Sequence, residues 1–272
     1  MVDPSVEARL GTLEDCLDRS SAVESMAALI DAAFAERPNR PGASDAVIAF
    51  GLDTSALFRL AVDRANTDSI DYLSGQHAGP LILPGQVVQE YWNNRLAAIE
   101  TYGDSIRKKY DALAEEVAGL GPLDPSFHER FRALVEEFSA TYAFAFDPAT
   151  ATRIRSVLDV LKARASVPYV PRSRFLQIAE ARHRTRTPPG FRDDGHGDFY
   201  VWADFLLGLL VARDGGVDFG RVVLVTQDEK IDWSRGGVAH PLLVAEVHAL
   251  TGARFETWNL TRLREFVAST PA

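Results

Sequence analysis

Apolar positions recur at helical spacing from Val6 to about Glu36: Leu10, Leu13 and Leu17, then Met26, Leu29, Ile30 and Ala33. This predicts two helices, parted at Asp18-Arg19-Ser20-Ser21 and stopped by Arg37-Pro38-Asn39-Arg40-Pro41-Gly42. At Ala46 the pattern changes. Ala46-Val47-Ile48-Ala49-Phe50-Gly51-Leu52 is a short, nearly continuous apolar run, the mark of a strand covered on both faces. Pro80-Leu81-Ile82-Leu83-Pro84, Arg221-Val222-Val223-Leu224-Val225-Thr226 and Ala253-Arg254-Phe255-Glu256-Thr257 read the same way. Helical spacing follows the first run at Ala56, Leu57, Leu60 and Ala61, and a second helix is expected from Gly85 through Ala98. Strands separated by helices argue for a parallel sheet covered on both faces. Between about Ile99 and Ala165 the periods are helical throughout, as in Phe127, Phe131, Leu134, Val135 and Phe138, then Ile154, Val157, Leu158 and Leu161. A helical insertion accounts for this stretch.

Composition narrows the class. The single cysteine, Cys16, excludes an internal disulfide and a Cys-rich zinc site and suits a reducing compartment. A formal net charge of −9 excludes a general nucleic-acid coat, so any polyanion must meet a local basic patch. The start has no basic-then-apolar leader pattern, and the most apolar stretch, Phe199 to Ala212, is too short for a bilayer and carries Asp204. The expectation is a cytoplasmic protein without a membrane partner.

Chemistry in open parallel sheets collects outside the carboxyl ends of the strands. Asp53 follows the first strand run, Asp228 follows the third, and Glu90 lies in the first turns of the helix after the second. Asp198 opens the helix that precedes the third run, with Asp193, Asp194 and Asp232 nearby in sequence. Such a group repels itself, and a hard divalent cation, Mg2+ or Mn2+, relieves the repulsion. One or two such ions facing a phosphate make phosphodiester hydrolysis the matching chemistry. Each acid alone also has an ordinary use: Asp53 or Asp198 as a helix N-cap, Glu90 as a solvated charge, Asp228 in a turn.

Four blocks carry a resemblance. They are Leu52-Asp53-Thr54-Ser55-Ala56-Leu57, then Leu83-Pro84 through Glu90 to Arg95, then Thr187-Pro188-Pro189-Gly190-Phe191-Arg192-Asp193 with Gly197-Asp198-Phe199-Tyr200-Val201-Trp202, and Val223 through Thr226-Gln227-Asp228-Glu229-Lys230-Ile231-Asp232-Trp233. Together they resemble the PIN-domain nucleases, in particular a bacterial PIN-like branch with a helical insertion. The resemblance implies a three-layer α/β/α fold with a central parallel sheet. It makes residues 1–44 a helical extension and linker, and 45–272 the PIN-like domain with its insertion at about 99–170. The implied catalytic and metal-binding acids are Asp53, Glu90, Asp198 and Asp228, with Asp193 and Asp232 as further metal candidates. Arg192 stands where that branch usually has lysine.

Basic residues crowd ahead of Asp193: Arg172, Arg174, Arg182, His183, Arg184, Arg186 and Arg192. In an acidic protein this run suggests a phosphate-backbone contact surface, and Arg182, Arg184, Arg186, Arg192 and Lys230 are the expected substrate-binding residues. The alternative is a solvated helix end. His196, between two glycines, is either a phosphate ligand or an ordinary loop residue. Trp92, Trp202 and Trp233 are expected to pack under the site.

The leading expectation is a divalent-metal nuclease acting on RNA in preference to DNA. The main alternative is a catalytically silent nucleic-acid-binding or assembly module. A haloacid-dehalogenase-type phosphatase ranks last, because Ser55 stands where that chemistry needs a second aspartate. The N-terminal helices offer a surface for a homodimer or a regulatory partner.

Overall fold

The computed structural model describes residues 4–18, 47–93, 148–228 and 230–270, with isolated positions between 112 and 137. The expected helix around Met26 to Ala33 and its linker, and most of the insertion between 99 and 147, lie outside the described residues.

Four apolar segments become a parallel sheet. Strands β1 (Ile48–Leu52), β2 (Leu81–Ile82), β3 (Arg221–Val225) and β6 (Arg254–Trp258) lie in the order β2-β1-β3-β6. Every residue of β1 is buried, as expected for a run without polar alternation. Its register with β3 pairs Ile48 with Arg221 and Leu52 with Val225, while Phe50 pairs with Leu81 of β2. The chain goes to one side of β1 for β2 and to the other for β3, so the topological switch point falls between β1 and β3. Ser166 extends the sheet edge by a parallel bridge to Ile82, where the helix Pro148–Arg164 returns to the core.

Alternating side chains of β1 meet different layers. Phe50 packs edge-on to His77 and Trp258 and lies near Phe266 of the helix Leu260–Ser269. On the opposite face the helix Gly197–Asp214 approaches so closely that a Cβ at Gly51 would stand 2.4 Å from the Phe205 ring. A Cβ at Gly208 would likewise stand 2.6 Å from Ile82. Helix Gly197–Asp214 is apolar nearly all round because sheet and helices enclose it; eleven of its residues are buried. The fold is three layers, helices on both faces of a parallel sheet, as the sequence predicts.

Helix Pro4–Asp18 buries Leu10, Leu13 and Leu17 in this same core, packing beside the helices Arg172–Thr185, Gly197–Asp214 and Pro241–Thr251. The first turns of the N-terminal extension are therefore part of the domain, and their apolar stripe is covered by the chain itself. A short hairpin, β4 (Ser234–Arg235) with β5 (Val238–Ala239), turns at Gly236-Gly237, both at positive φ. The Gly-Gly pair is its sequence signal. No described helix is long and apolar enough to cross a membrane.

Candidate active site

The carboxyl edges of β1 and β3 are stitched together by short polar side chains. Asp53 leaves β1 and caps the helix Thr54–Val62: its Oδ1 accepts from Ala56 N at 2.9 Å and from Ser55 Oγ at 2.7 Å. Its Oδ2 accepts from Thr226 Oγ1 at the end of β3. Thr226 Oγ1 in turn accepts from the Asp228 amide at 2.9 Å, and Ser55 Oγ accepts from the Gln227 amide at 2.9 Å. Asp53 is 7% exposed. Burial pushes its carboxyl up, the Thr226, Ala56 and Ser55 hydrogen bonds oppose this, and the Asp228 charge adds to the rise. The N-cap and the functional reading of Asp53 are compatible: one oxygen caps while the other faces β3.

Glu90 reaches the same edge from the helix after β2, over residues 85–93. It accepts from Thr54 Oγ1 through Oε2 and from Gln86 Nε2 at 3.0 Å through Oε1. A Cβ at Gly197 would come within 2.8 Å of Glu90 Oε1, so the carboxylate lies against the first turn of the Asp198 helix, where the helix dipole favours an anion. Glycine is what lets the two meet. Asp198 sits in that first turn; the cap itself is His196, without a side-chain capping bond. Its Oδ2 accepts from Trp233 Nε1 at 3.0 Å.

Lys230 enters this group. Its Nζ lies 2.6 and 2.8 Å from the two oxygens of Asp193, 3.0 Å from Asp228 and 3.7 Å from Asp198. Burial, then the hydrogen bond with Asp193, pushes Asp198 up to about 8. Burial also works on Asp193, but its bonds with Asp198 and Lys230 carry it below the usual carboxylate range. Burial pulls the Lys230 ammonium down, and its bonds with Asp193 and Asp228 outweigh that and raise it. Asp53, Glu90, Asp193, Asp198 and Asp228 thus come to one edge of the sheet from separate segments. Among the described residues, however, no three His, Cys, Asp or Glu side chains are gathered as they stand to hold a metal ion. The donor chemistry suits a hard cation: all oxygens, with a lysine ammonium already standing among three of them.

Several expected site residues serve other ends. Asp232 is 0% exposed and its Oδ2 accepts from the Gly190 amide at 3.0 Å. It anchors the 188–193 loop from beneath and offers no exposed atom to the cluster. That loop needs Gly190, at φ 87°, where a Cβ would stand 3.0 Å from Asp198 Cβ. Arg182 is a correction to the substrate surface. It is 4% exposed, donates to Glu246 at 2.8 Å, to Leu17 O at 2.9 Å and to Pro188 O, and cannot meet a phosphate from there. Arg172 and Arg174 are likewise committed, to Asp204 and to Glu7 and Glu14. Arg184, Arg186 and Arg192 are exposed, Arg184 paired with Glu180. Trp202 and Trp233 are buried as expected, and Trp202 Nε1 donates to Glu246 at 2.7 Å. Trp92 does not pack under the site; it is 47% exposed. His183 contacts Asp193 O at 2.9 Å and stacks edge-on to His196, with ring centroids 5.6 Å apart.

A clamp that the sequence pattern does not reveal supports the site. Asp204, buried in the middle of its helix, takes the Arg172 fork at 2.8 Å on each oxygen, the Val170 amide at 2.7 Å and the Gln86 amide at 2.8 Å. It ties the helix of Asp198 to the start of the helix of Glu90. Burial pushes its carboxyl up, opposed by Arg172 and the two amides. A lone carboxylate inside Phe199–Ala212 is the available signal, since a buried charge requires a partner.

Residues 151–242 match a family model described as PIN like domain. That stretch is similar to the PIN-like domain, and the central four-stranded parallel sheet flanked by helices is consistent with a PIN-like three-layer fold. The matched stretch holds Asp193, Asp198, Asp228 and Lys230, while Asp53 and Glu90 lie outside it. Proteins of this family are usually nucleases and generally use divalent metal ions. No curated protein and no solved structure matches the chain.

Proposed function

We propose that this chain is a divalent-metal-dependent nuclease, acting on RNA in preference to DNA. One observation carries the reading: acids from four separate segments reach the topological switch point of a parallel sheet, two of them joined through Thr226 across β1 and β3. Such a convergence of buried and half-buried carboxylates costs stability through desolvation and repulsion, and is accounted for by a site that binds cations. Asp53, Glu90, Asp198 and Asp228 would hold Mg2+ or Mn2+, with Asp193 beside them. A bound ion would supply Lewis acidity at the phosphodiester and an acidified water. The chain's own part is positioning. Thr54 and Gln86 aim Glu90, Thr226 and Ser55 aim Asp53, and Trp233 aims Asp198. Arg184, Arg186 and Arg192 supply exposed cations toward a polyanion.

The second reading, a silent nucleic-acid-binding or assembly module, draws on the absence of three gathered donors among the described residues. Cleavage assays on RNA, single-stranded DNA and duplex DNA with Mg2+ or Mn2+ separate the two. Activity that needs the cation and is lost in Asp53→Asn and in Asp228→Asn, with the fold intact by circular dichroism, is the expected result. Cleavage surviving in both variants or in excess chelator refutes the nuclease assignment. Metal-independent RNA binding without cleavage selects the second reading.

A further inference from the structure

The acids at the sheet edge already enclose a cation of the chain's own. Lys230 is tied to Asp228 at both ends: its backbone N–H donates to Asp228 Oδ1 at 2.8 Å, and its Nζ lies 3.0 Å from Asp228 Oδ2. The same ammonium takes both oxygens of Asp193 and stands 3.7 Å from Asp198. One positive charge faces three carboxyl groups, so the cluster is short of cationic charge. The Lys230 side chain is 38% exposed, so its flexible stem has solvent to turn into. Asp193, Asp198 and Asp228 are thus all oriented on one ammonium.

Resting on the metal-dependent reading above, we infer that Lys230 is the resident counter-ion of the metal-free site and competes with the divalent cation for Asp193, Asp198 and Asp228. The ammonium keeps the three carboxyl groups together at low metal concentration. It gives way to the doubly charged ion, which neutralises the group more fully, and so sets the metal concentration at which the site fills. Compact charge on a flexible stem suits lysine to this exchange; the planar fork of arginine holds a carboxylate more rigidly.

The test is calorimetric titration of Mn2+ into the full chain, for the unaltered protein, Lys230→Met and Lys230→Arg. Removing the positive charge that pairs with these carboxyl groups is expected to tighten Mn2+ binding by roughly tenfold or more in Lys230→Met. Lys230→Arg, which keeps the charge, is expected to bind no more tightly than the unaltered protein. In parallel, acylation of Lys230 in the unaltered protein, read by mass spectrometry, is expected to speed up when Mn2+ saturates the site. Equal or weaker Mn2+ binding by Lys230→Met overturns the inference while leaving the metal reading in place. Labelling indifferent to Mn2+ overturns it too, even if Lys230→Met does not fold. Absence of Mn2+ binding in every protein overturns the metal reading and the inference together.

Discussion

Asp204→Asn is the most informative single substitution outside the carboxylate cluster. The side chain is 0% exposed and holds four hydrogen bonds, two from the Arg172 fork and two from the amides of Val170 and Gln86. Asparagine keeps one acceptor oxygen and turns an NH2 group toward the other two donors. One Arg172 N–H and one backbone N–H then lose their acceptor, and the Arg172 charge loses its partner. Removing one member of a buried ion pair costs about 3–5 kcal/mol, of which an unsatisfied amide alone accounts for about 1–3 kcal/mol. At a urea m-value of about 2–3 kcal/mol/M, the midpoint should fall by roughly 1–2 M. Function should suffer beyond stability, because Asp204 joins the helix of Asp198 to the helix of Glu90. A misplacement of about 1 Å at a reacting centre can cost on the order of a hundredfold in rate. Urea unfolding followed by tryptophan fluorescence, with cleavage assayed well below the transition, measures both. A variant within about 1 kcal/mol of the unaltered protein would show that the clamp is dispensable and refute this account.

Two further outcomes follow from the charges. Asp198, at about 8 in the folded chain against an ordinary 3.8, favours the folded metal-free state fully below about pH 4, a contribution lost as pH rises through about 8. In chelator, stability should therefore fall between about pH 4 and 8, and Asp198→Asn should flatten that fall; an unchanged slope in urea melts would sink the assignment. The arginine run should divide by burial. Arg184→Ala with Arg186→Ala should lower the log–log salt slope of single-strand binding by roughly 1.4 and spare the fold, whereas Arg182→Met should destabilise by about 3–5 kcal/mol through stranding Glu246. An unaltered salt slope, or a stable Arg182→Met, contradicts this division.

Much of the fold is legible in the amino-acid sequence itself. The strands announce themselves because a strand covered on both faces must be apolar at every position, and β1, β3 and β6 lie within a residue or two of the runs that predict them. Asp53 and Asp228 can be singled out because parallel strands end at a common edge, and Glu90 and Asp198 because the helices that link such strands begin at that edge. The burial of Trp202 follows from its apolar context in the same way.

What the tertiary structure decides concerns charges. Arg182 and Arg184 are two residues apart on one helix, yet one is buried against Glu246 and the other lies exposed beside Glu180. Along the chain Asp204 is an interruption of an apolar stretch and Arg172 one cation of a basic run; in space they are the two halves of a clamp. Asp232 stands among the metal candidates by sequence and anchors a loop, while Lys230 stands among the substrate contacts and pairs with the candidate ligands themselves. Apolar burial is set by local pattern, because the hydrophobic effect is non-directional and any covering layer satisfies it. A charge is satisfied only by a partner at a particular distance and orientation, and here Asp53 and Thr226, Glu246 and Arg182, Lys230 and Asp193 come from distant stretches of the chain that only folding brings within a hydrogen bond.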